Sequence, residues 1–339
     1  MNRKRLIGLT VAALVASMSA ATAIAVAAGA LTGAGSTLVA PLMAHWSSNF
    51  QKRTGISVVY GAVGSGTGIE DISSRTVDFG ASDAPLTPAQ ASACHGCVQV
   101  PWALTATAVG FHINGVRSLK LTGPVVSKIY LGQITNWDSG AIRALNKHAH
   151  LPNLKITPVF RSDGSGDTYA FTDFLSRESS SWSHRVGRAT AVNFPTGIGS
   201  KGNSGVTATV ASTNGAIGYI AASYLIAHGL PAVALQNAAG NYEYPNLKNI
   251  EAAARSVASV PKSNELHIVD PSATYSTAYP LSTFTYAIVP KASASASLLG
   301  SFIRYAVGPG QSYGPALDFA ALPQVVINAA LKTAKSLRR

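Results

Sequence analysis

Three times in this chain a strand-like run ends in a short turn of glycine and hydroxyl residues and passes directly into a helix-like run. The turns are Gly33-Ala34-Gly35-Ser36-Thr37, Gly64-Ser65-Gly66-Thr67-Gly68 and Gly164-Ser165-Gly166-Asp167-Thr168. Each places glycine where a backbone must approach closely and hydroxyls where donors are useful. Each also leaves unpaired N–H groups at a helix start, where the helix dipole favours an anion. A single turn of this kind is an ordinary helix cap. Three of them, with an arginine beside the third, define a candidate oxyanion site.

The units around these turns read as α/β. ALTGAG is a strand, and the run after it carries Leu38, Leu42, Trp46 and Phe50 four apart, one apolar stripe for packing on a sheet. ISVVYGAV and VDFGASD read as further strands with GTGIEDISSR as a short helix between them. LKITPVFRSDGSGDTYAFTDFLS repeats strand, turn and helix, and GAIGYIAASYLIAHG repeats strand and helix. At 339 residues, with 47% hydrophobic and 12% charged residues, the chain exceeds one ordinary core of about 150 residues and predicts two lobes. A strand near TAVGFHING leaves the first lobe and one at LSTFTYAIVPK returns to it. Residues 31–112 with 282–339 therefore form lobe I and residues 113–281 lobe II. Two lobes joined by crossing strands make a cleft, where small ligands bind.

Residues 1–30 predict a secretory signal: Arg3, Lys4 and Arg5, then an apolar run, then small residues at Ala21, Ala23 and Ala25. An uncleaved anchor is the other reading, since the apolar run is about the minimum for a span. The segment has no cysteine for lipid attachment. No later stretch approaches about 20 uninterrupted apolar residues. The net charge of +12 gives little support to nucleic-acid binding. Three positive charges lie in the signal, Lys332, Lys335, Arg338 and Arg339 crowd the far end, and no basic and aromatic residues alternate as a stacking groove requires.

Cys94 and Cys97, spaced C-H-G-C, are a disulfide candidate closing a tight loop. Val98 stands where a haem-attachment motif needs histidine, the neighbourhood offers no obvious further zinc ligands, and a redox-active pair lacks the surrounding βαβ pattern. No metal or other cofactor is expected.

None of the three turns is a P-loop, since the lysine and hydroxyl tail is missing, and none has the spacing of a dinucleotide fingerprint. Arg161, four residues before Ser165, can reach a tetrahedral anion bidentately, and a salt bridge to Asp163 would leave nitrogens for that. Asp83, in Ala81-Ser82-Asp83-Ala84-Pro85, is either a turn former before Pro85 or a selector. A carboxylate beside an anion site repels its ligand unless the ligand brings a proton, as hydrogen phosphate does and sulfate does not.

LTGAGSTLVAPLMAHW, VGSGTGIEDI, VDFGASDAPLT, IYLGQITNWD, FRSDGSGDTYAFTDFLS, GSKGNSGV and GAIGYI, in this order, closely resemble the PstS-type phosphate-binding proteins of bacterial ABC importers. The likeness runs from about Leu31 to at least Gln324, and SDAPL and RSDGSG are its most specific segments. It implies a two-lobed class II periplasmic-binding fold closing on inorganic phosphate, a monomer, and the importer's membrane permease subunits as partners. By matching positions it implies phosphate contacts from Ser36, Thr37, Leu38, Ser65, Arg161, Ser165, Gly166 and Asp167, with Asp83 as proton acceptor. The chain departs from the family where an aromatic residue often stands, at Leu38, and where many relatives have threonine, at Asp167. The second change leaves open whether that side chain caps its helix or touches the ligand.

Carriers of other oxyanions such as sulfate or molybdate, and a secreted phosphate-ester hydrolase, are the alternatives. A hydrolase needs a nucleophile beside a base, or metal ligands. The eight histidines show no H-E-x-x-H spacing.

Overall fold

A computed structural model describes residues 29–339, so the signal read over residues 1–30 lies outside the described residues apart from Gly29 and Ala30, the latter opening the first strand. Among the described residues no helix is long and apolar enough to cross a membrane.

The chain begins with β1 (Ala30–Gly35), α1 (Ala40–Thr54), β2 (Ser57–Ala62), α2 (Ser65–Ser73), β3 (Phe79–Ser82), α3 (Pro88–Ala93) and β4 (Cys97–His112). It continues through β5 (Lys120–Leu121), α4 (Gly123–Tyr130), α5 (Gly140–Leu145), β6 (Thr157–Arg161), α6 (Gly166–Glu178), α7 (Ser180–Arg185), β7 (Ile198–Ser200), α8 (Gly202–Ser212), β8 (Ala216–Ala221) and α9 (Ala222–Ala227). After β9 (Ala234–Gln236), β10 (Tyr242–Glu243) and α10 (Leu247–Ala254), it ends with β11 (Ser282–Pro290), α11 (Ala296–Ala306) and α12 (Gln324–Ser336).

Eight strands form one mixed sheet in the order β2-β1-β3-β11-β4-β8-β6-β7, and β10-β9-β5 form a small second sheet. β4 ties the main sheet together. Its first half, Cys97–Ala106, pairs antiparallel with β11, and its second half, Thr107–His112, pairs antiparallel with β8. The strand is buried on both faces almost throughout, which explains why its sequence shows no polar alternation and why the sequence reading found only its later part.

On each side of β4 the strands that carry the turns run parallel: β1 with β2 and β3, and β6 with β7 and β8. Parallel strands need helical crossovers, and ligands in such sheets gather at the carboxyl ends of the strands. Gly35, Ser82 and Arg161 are those ends.

Separate aromatic clusters hold the two sides. Leu42, Met43, Trp46 and Phe50 form the buried stripe of α1, with Trp46 edge-on to Trp102 at 5.3 Å between ring centroids. Leu38, the first residue of the predicted stripe, is buried in the turn ahead of the helix. Beyond β4, Phe171 of α6 stacks on Tyr219 of β8 at 4.5 Å, with Tyr130 and Phe194 against them. Offset and edge-on pairs like these add about 0.5–1.5 kcal/mol each beyond area burial, so each half has its own rigid base for a loop.

Candidate functional site

The site grows from the ends of β1, β3 and β6. Beyond Gly35 the chain turns: the Ser36 N–H bonds Ala81 O of β3 at 2.9 Å, fixing the serine beside the residues that follow β3. Its Oγ accepts the N–H groups of Leu38 at 3.0 Å and Val39 at 3.3 Å, and donates to Asp83, whose two carboxylate oxygens both lie 2.6 Å away. Ser65, the first residue of α2, accepts the Asp83 N–H at 3.3 Å and lies 3.4 Å from its Oδ2. Asp83 is thus enclosed by hydroxyls and shut off from water. Burial first, and then the charge of Asp167, push its carboxyl up to about 8 against the pull of Ser36, Arg161 and Ser65.

Arg161 ends β6, its backbone N–H held by Tyr219 OH at 2.9 Å. Its guanidinium forks onto Asp163 through Nε at 2.7 Å and through Nη2, while Nη1 reaches Asp167 Oδ2 at 2.9 Å. The arginine is therefore clamped between two carboxylates at one end of the buried cluster.

The two sets of loops touch. Gly166 N–H donates to Ser65 Oγ at 3.1 Å and Gly66 N–H to Gly164 O at 2.9 Å. A Cβ on Gly166 would fall 2.4 Å from Asp83 Cβ and 2.7 Å from its Cα, so this approach requires glycine. Of the residues singled out from sequence, the structure gathers Ser36, Thr37, Leu38, Ser65, Asp83, Arg161, Ser165, Gly166 and Asp167 into this one buried cluster. The Leu38 N–H is directed at Ser36 Oγ.

Asp167 is not the cap of α6. That role falls to Ser165, whose Oγ accepts Thr168 N–H at 3.3 Å, while the Thr168 hydroxyl lies 2.7 Å from Tyr219 OH. The Asp167 carboxylate turns inward and accepts from Thr107 Oγ1 at 2.8 Å, Asn203 Nδ2 at 2.8 Å and Arg161. Burial raises its carboxyl above the ordinary range, opposed by those three donors.

Sequence reasoning missed Asn203, Thr107, Tyr60 and Tyr224. Tyr60 OH donates to Ser36 O at 2.8 Å and Tyr224 OH to Thr37 O at 3.2 Å, while the Asn203 amide donates to Thr37 Oγ1 at 2.9 Å. Only Asn203 lies in a segment that carried the resemblance, GSKGNSGV, and nothing in the residue type marked it. Cys94 and Cys97 lie apart from the cluster, joined as a disulfide whose loop carbonyls, Cys94 O and His95 O, accept from Arg75.

Chemically, the cluster offers hydroxyl and backbone donors, one clamped guanidinium and one carboxyl poised near neutrality. That set suits a tetrahedral oxyanion able to share a proton. Among the described residues no group of three or more His, Cys, Asp or Glu side chains is arranged to hold a metal ion.

A family model described as a PBP superfamily domain matches residues 20–309. The chain is 35% identical over 298 residues to the phosphate-binding protein PstS of Xylella fastidiosa, covering 86% of this chain and 81% of the relative. It is 34% identical over 321 residues to that of Pasteurella multocida, covering 93% of each. Its fold is similar to the crystal structure of a phosphate ABC transporter substrate-binding protein from Clostridium perfringens with bound phosphate. There the TM-score is 0.64 and the identity 22%, over 87% of this chain and 100% of the other.

Proposed function

This chain belongs to the PstS family of phosphate-binding proteins within the PBP superfamily, and from that premise we propose that it binds inorganic phosphate between two lobes and delivers it to an ABC-type importer. The observation that carries this reading is the pairing of one clamped guanidinium, Arg161, with one proton-sharing carboxyl, Asp83, inside a shell of hydroxyl and N–H donors. The guanidinium and donors hold the phosphate oxygens. Asp83 accepts the proton that hydrogen phosphate brings and a fully ionised oxyanion lacks.

In this reading lobe I is 31–112 with 282–339 and lobe II is 113–281, and β4 and β11 are the crossing strands. Ser36, Thr37, Leu38, Ser65 and Asp83 meet phosphate from lobe I; Arg161, Ser165, Gly166 and Asp167 meet it from lobe II. The protein acts outside the cytoplasm as a monomer, hands phosphate to membrane permease subunits, and catalyses no reaction. Glycine at positions 66, 164 and 166 allows the lobes to close to backbone contact.

Titration calorimetry with phosphate and with sulfate on one sample tests the ligand. A chromogenic phosphate ester, added to the same sample, tests turnover. Phosphate binding without ester hydrolysis is expected. Equal affinity for sulfate at alkaline pH, or steady ester turnover, would overturn the reading.

A further inference from the structure

Asn203, at the start of α8, is fully buried and uses its side chain in three directions. Its Oδ1 accepts the Ala221 N–H at 2.7 Å, which fixes the orientation of the amide and aims the NH₂ group. That NH₂ group donates to Asp167 Oδ2 at 2.8 Å and to Thr37 Oγ1 at 2.9 Å, and the backbone N–H of Asn203 also reaches Thr37 Oγ1 at 3.3 Å. Thr37 follows β1, whereas Asn203, Asp167 and Ala221 belong to elements of the β6 side.

We propose that Asn203 is a positioning residue that latches the closed cleft and fixes the polarity of the Thr37 hydroxyl. A hydroxyl has two acceptor sites and one proton. With both acceptor sites of Thr37 Oγ1 facing Asn203 N–H groups, its proton is the only bonding capacity left, and Thr37 meets the ligand as a donor. An anion with no spare donor gains from that. The same bonds join the two sides of the cleft, and Tyr224 OH reinforces them at Thr37 O. Breaking the latch therefore shortens the lifetime of the closed complex more than it slows encounter, because the bonds form only after the loops meet.

The inference rests on the phosphate reading, and its test separates the two. Stopped-flow kinetics on the whole chain would compare wild type, Asn203→Ala, Thr37→Val and the double variant. Each single substitution should raise the phosphate off-rate about tenfold to a hundredfold and change the on-rate by less than about threefold. The double variant should lose clearly less than the product of the two single losses, because Asn203 acts in part through Thr37, the remainder reporting its bond to Asp167. A merely structural asparagine predicts losses that multiply, and that result, or an off-rate unchanged in Thr37→Val, overturns the proposal. Should Asn203→Ala fail to fold, the smaller polar change Asn203→Ser takes its place in the same comparison. If wild type binds no phosphate, the functional reading falls while the latch remains testable by small-angle scattering without ligand. Thr37→Val should then have the larger radius of gyration, and equality with wild type overturns the latch.

Discussion

The Ser36 hydroxyl lies 2.6 Å from both oxygens of Asp83 while its own oxygen accepts the N–H groups of Leu38 and Val39. One serine thereby ties the end of the β1 turn to the carboxyl after β3 and orients that carboxyl within the cluster. A stability consequence follows from the raised Asp83 carboxyl. Its ordinary value is 3.8 and its folded value about 8, so between these limits the folded state holds a proton that the unfolded chain has released. Stability then falls as pH rises across that window. Melting temperatures of the ligand-free protein should decline from about pH 5 to about pH 8 more steeply for wild type than for Asp83→Asn, which has no such proton to lose. Parallel curves would contradict the assignment.

The same carboxyl sets how selectivity varies with pH. Below about 8 a protonated Asp83 can itself donate to a fully ionised oxyanion, so sulfate is tolerated. Above it sulfate must bring the carboxyl's proton back from solution, whereas hydrogen phosphate carries its own. The ratio of phosphate to sulfate affinity should therefore rise with pH above about 8, by up to about tenfold per unit. In Asp83→Asn the amide donates at every pH and the ratio should be small and flat. Paired titrations at three alkaline pH values read this directly, and a flat wild-type ratio would count against Asp83 as the selector.

Gly166→Ala tests closure. The added methyl meets Asp83 at Cα and Cβ, atoms that cannot swing aside, so the loops cannot reach the contact in which Gly166 N–H bonds Ser65 Oγ. Overpacking of this kind costs about 1–3 kcal/mol, which is a factor of about ten to a hundred in phosphate affinity. Alanine suits the first turn of a helix, so the ligand-free melting temperature should fall only by what the lost loop contact contributes, while the rise on adding phosphate shrinks. Thermal scans with and without phosphate check both halves.

The local chemistry of the site was legible in the sequence because it is written in short segments. Glycine and serine runs mark helix starts, the stripe Leu42, Trp46 and Phe50 marks a packed face, and Arg161 lies two residues from the Asp163 that holds it. What escaped is held by partners far along the chain. Asn203 meets Thr37 across 166 residues and Thr107 meets Asp167 across 60, and no periodicity encodes such pairs. β4 was only half legible for a related reason: buried on both faces, it shows neither the period of a helix nor the alternation of an exposed strand.

Asp167 changes the charge of the site, and with it the form of phosphate the site should prefer. Arg161 supplies one positive charge, Asp163 and Asp167 both sit against it, and Asp83 adds a third carboxyl to the same buried cluster. With Asp83 protonated below about 8, one cation facing the Asp163 and Asp167 carboxylates favours a monobasic ligand over a dibasic one, because the second negative charge of phosphate meets no unpaired cation among these groups. Wild-type affinity should fall as pH rises through the second ionisation of phosphate. In Asp167→Thr one carboxyl is gone and Arg161 keeps its fork on Asp163, so the dibasic form binds better and the profile flattens. Thr107 and Asn203 lose an acceptor, which costs about 1–3 kcal/mol of stability but has no pH dependence in this range. Phosphate affinity measured from about pH 5.5 to about pH 8.5 separates the two effects: a uniform offset reports the lost bonds, and a change of slope reports the charge. Identical slopes would mean that Asp167 orients Arg161 without selecting the protonation state of the ligand.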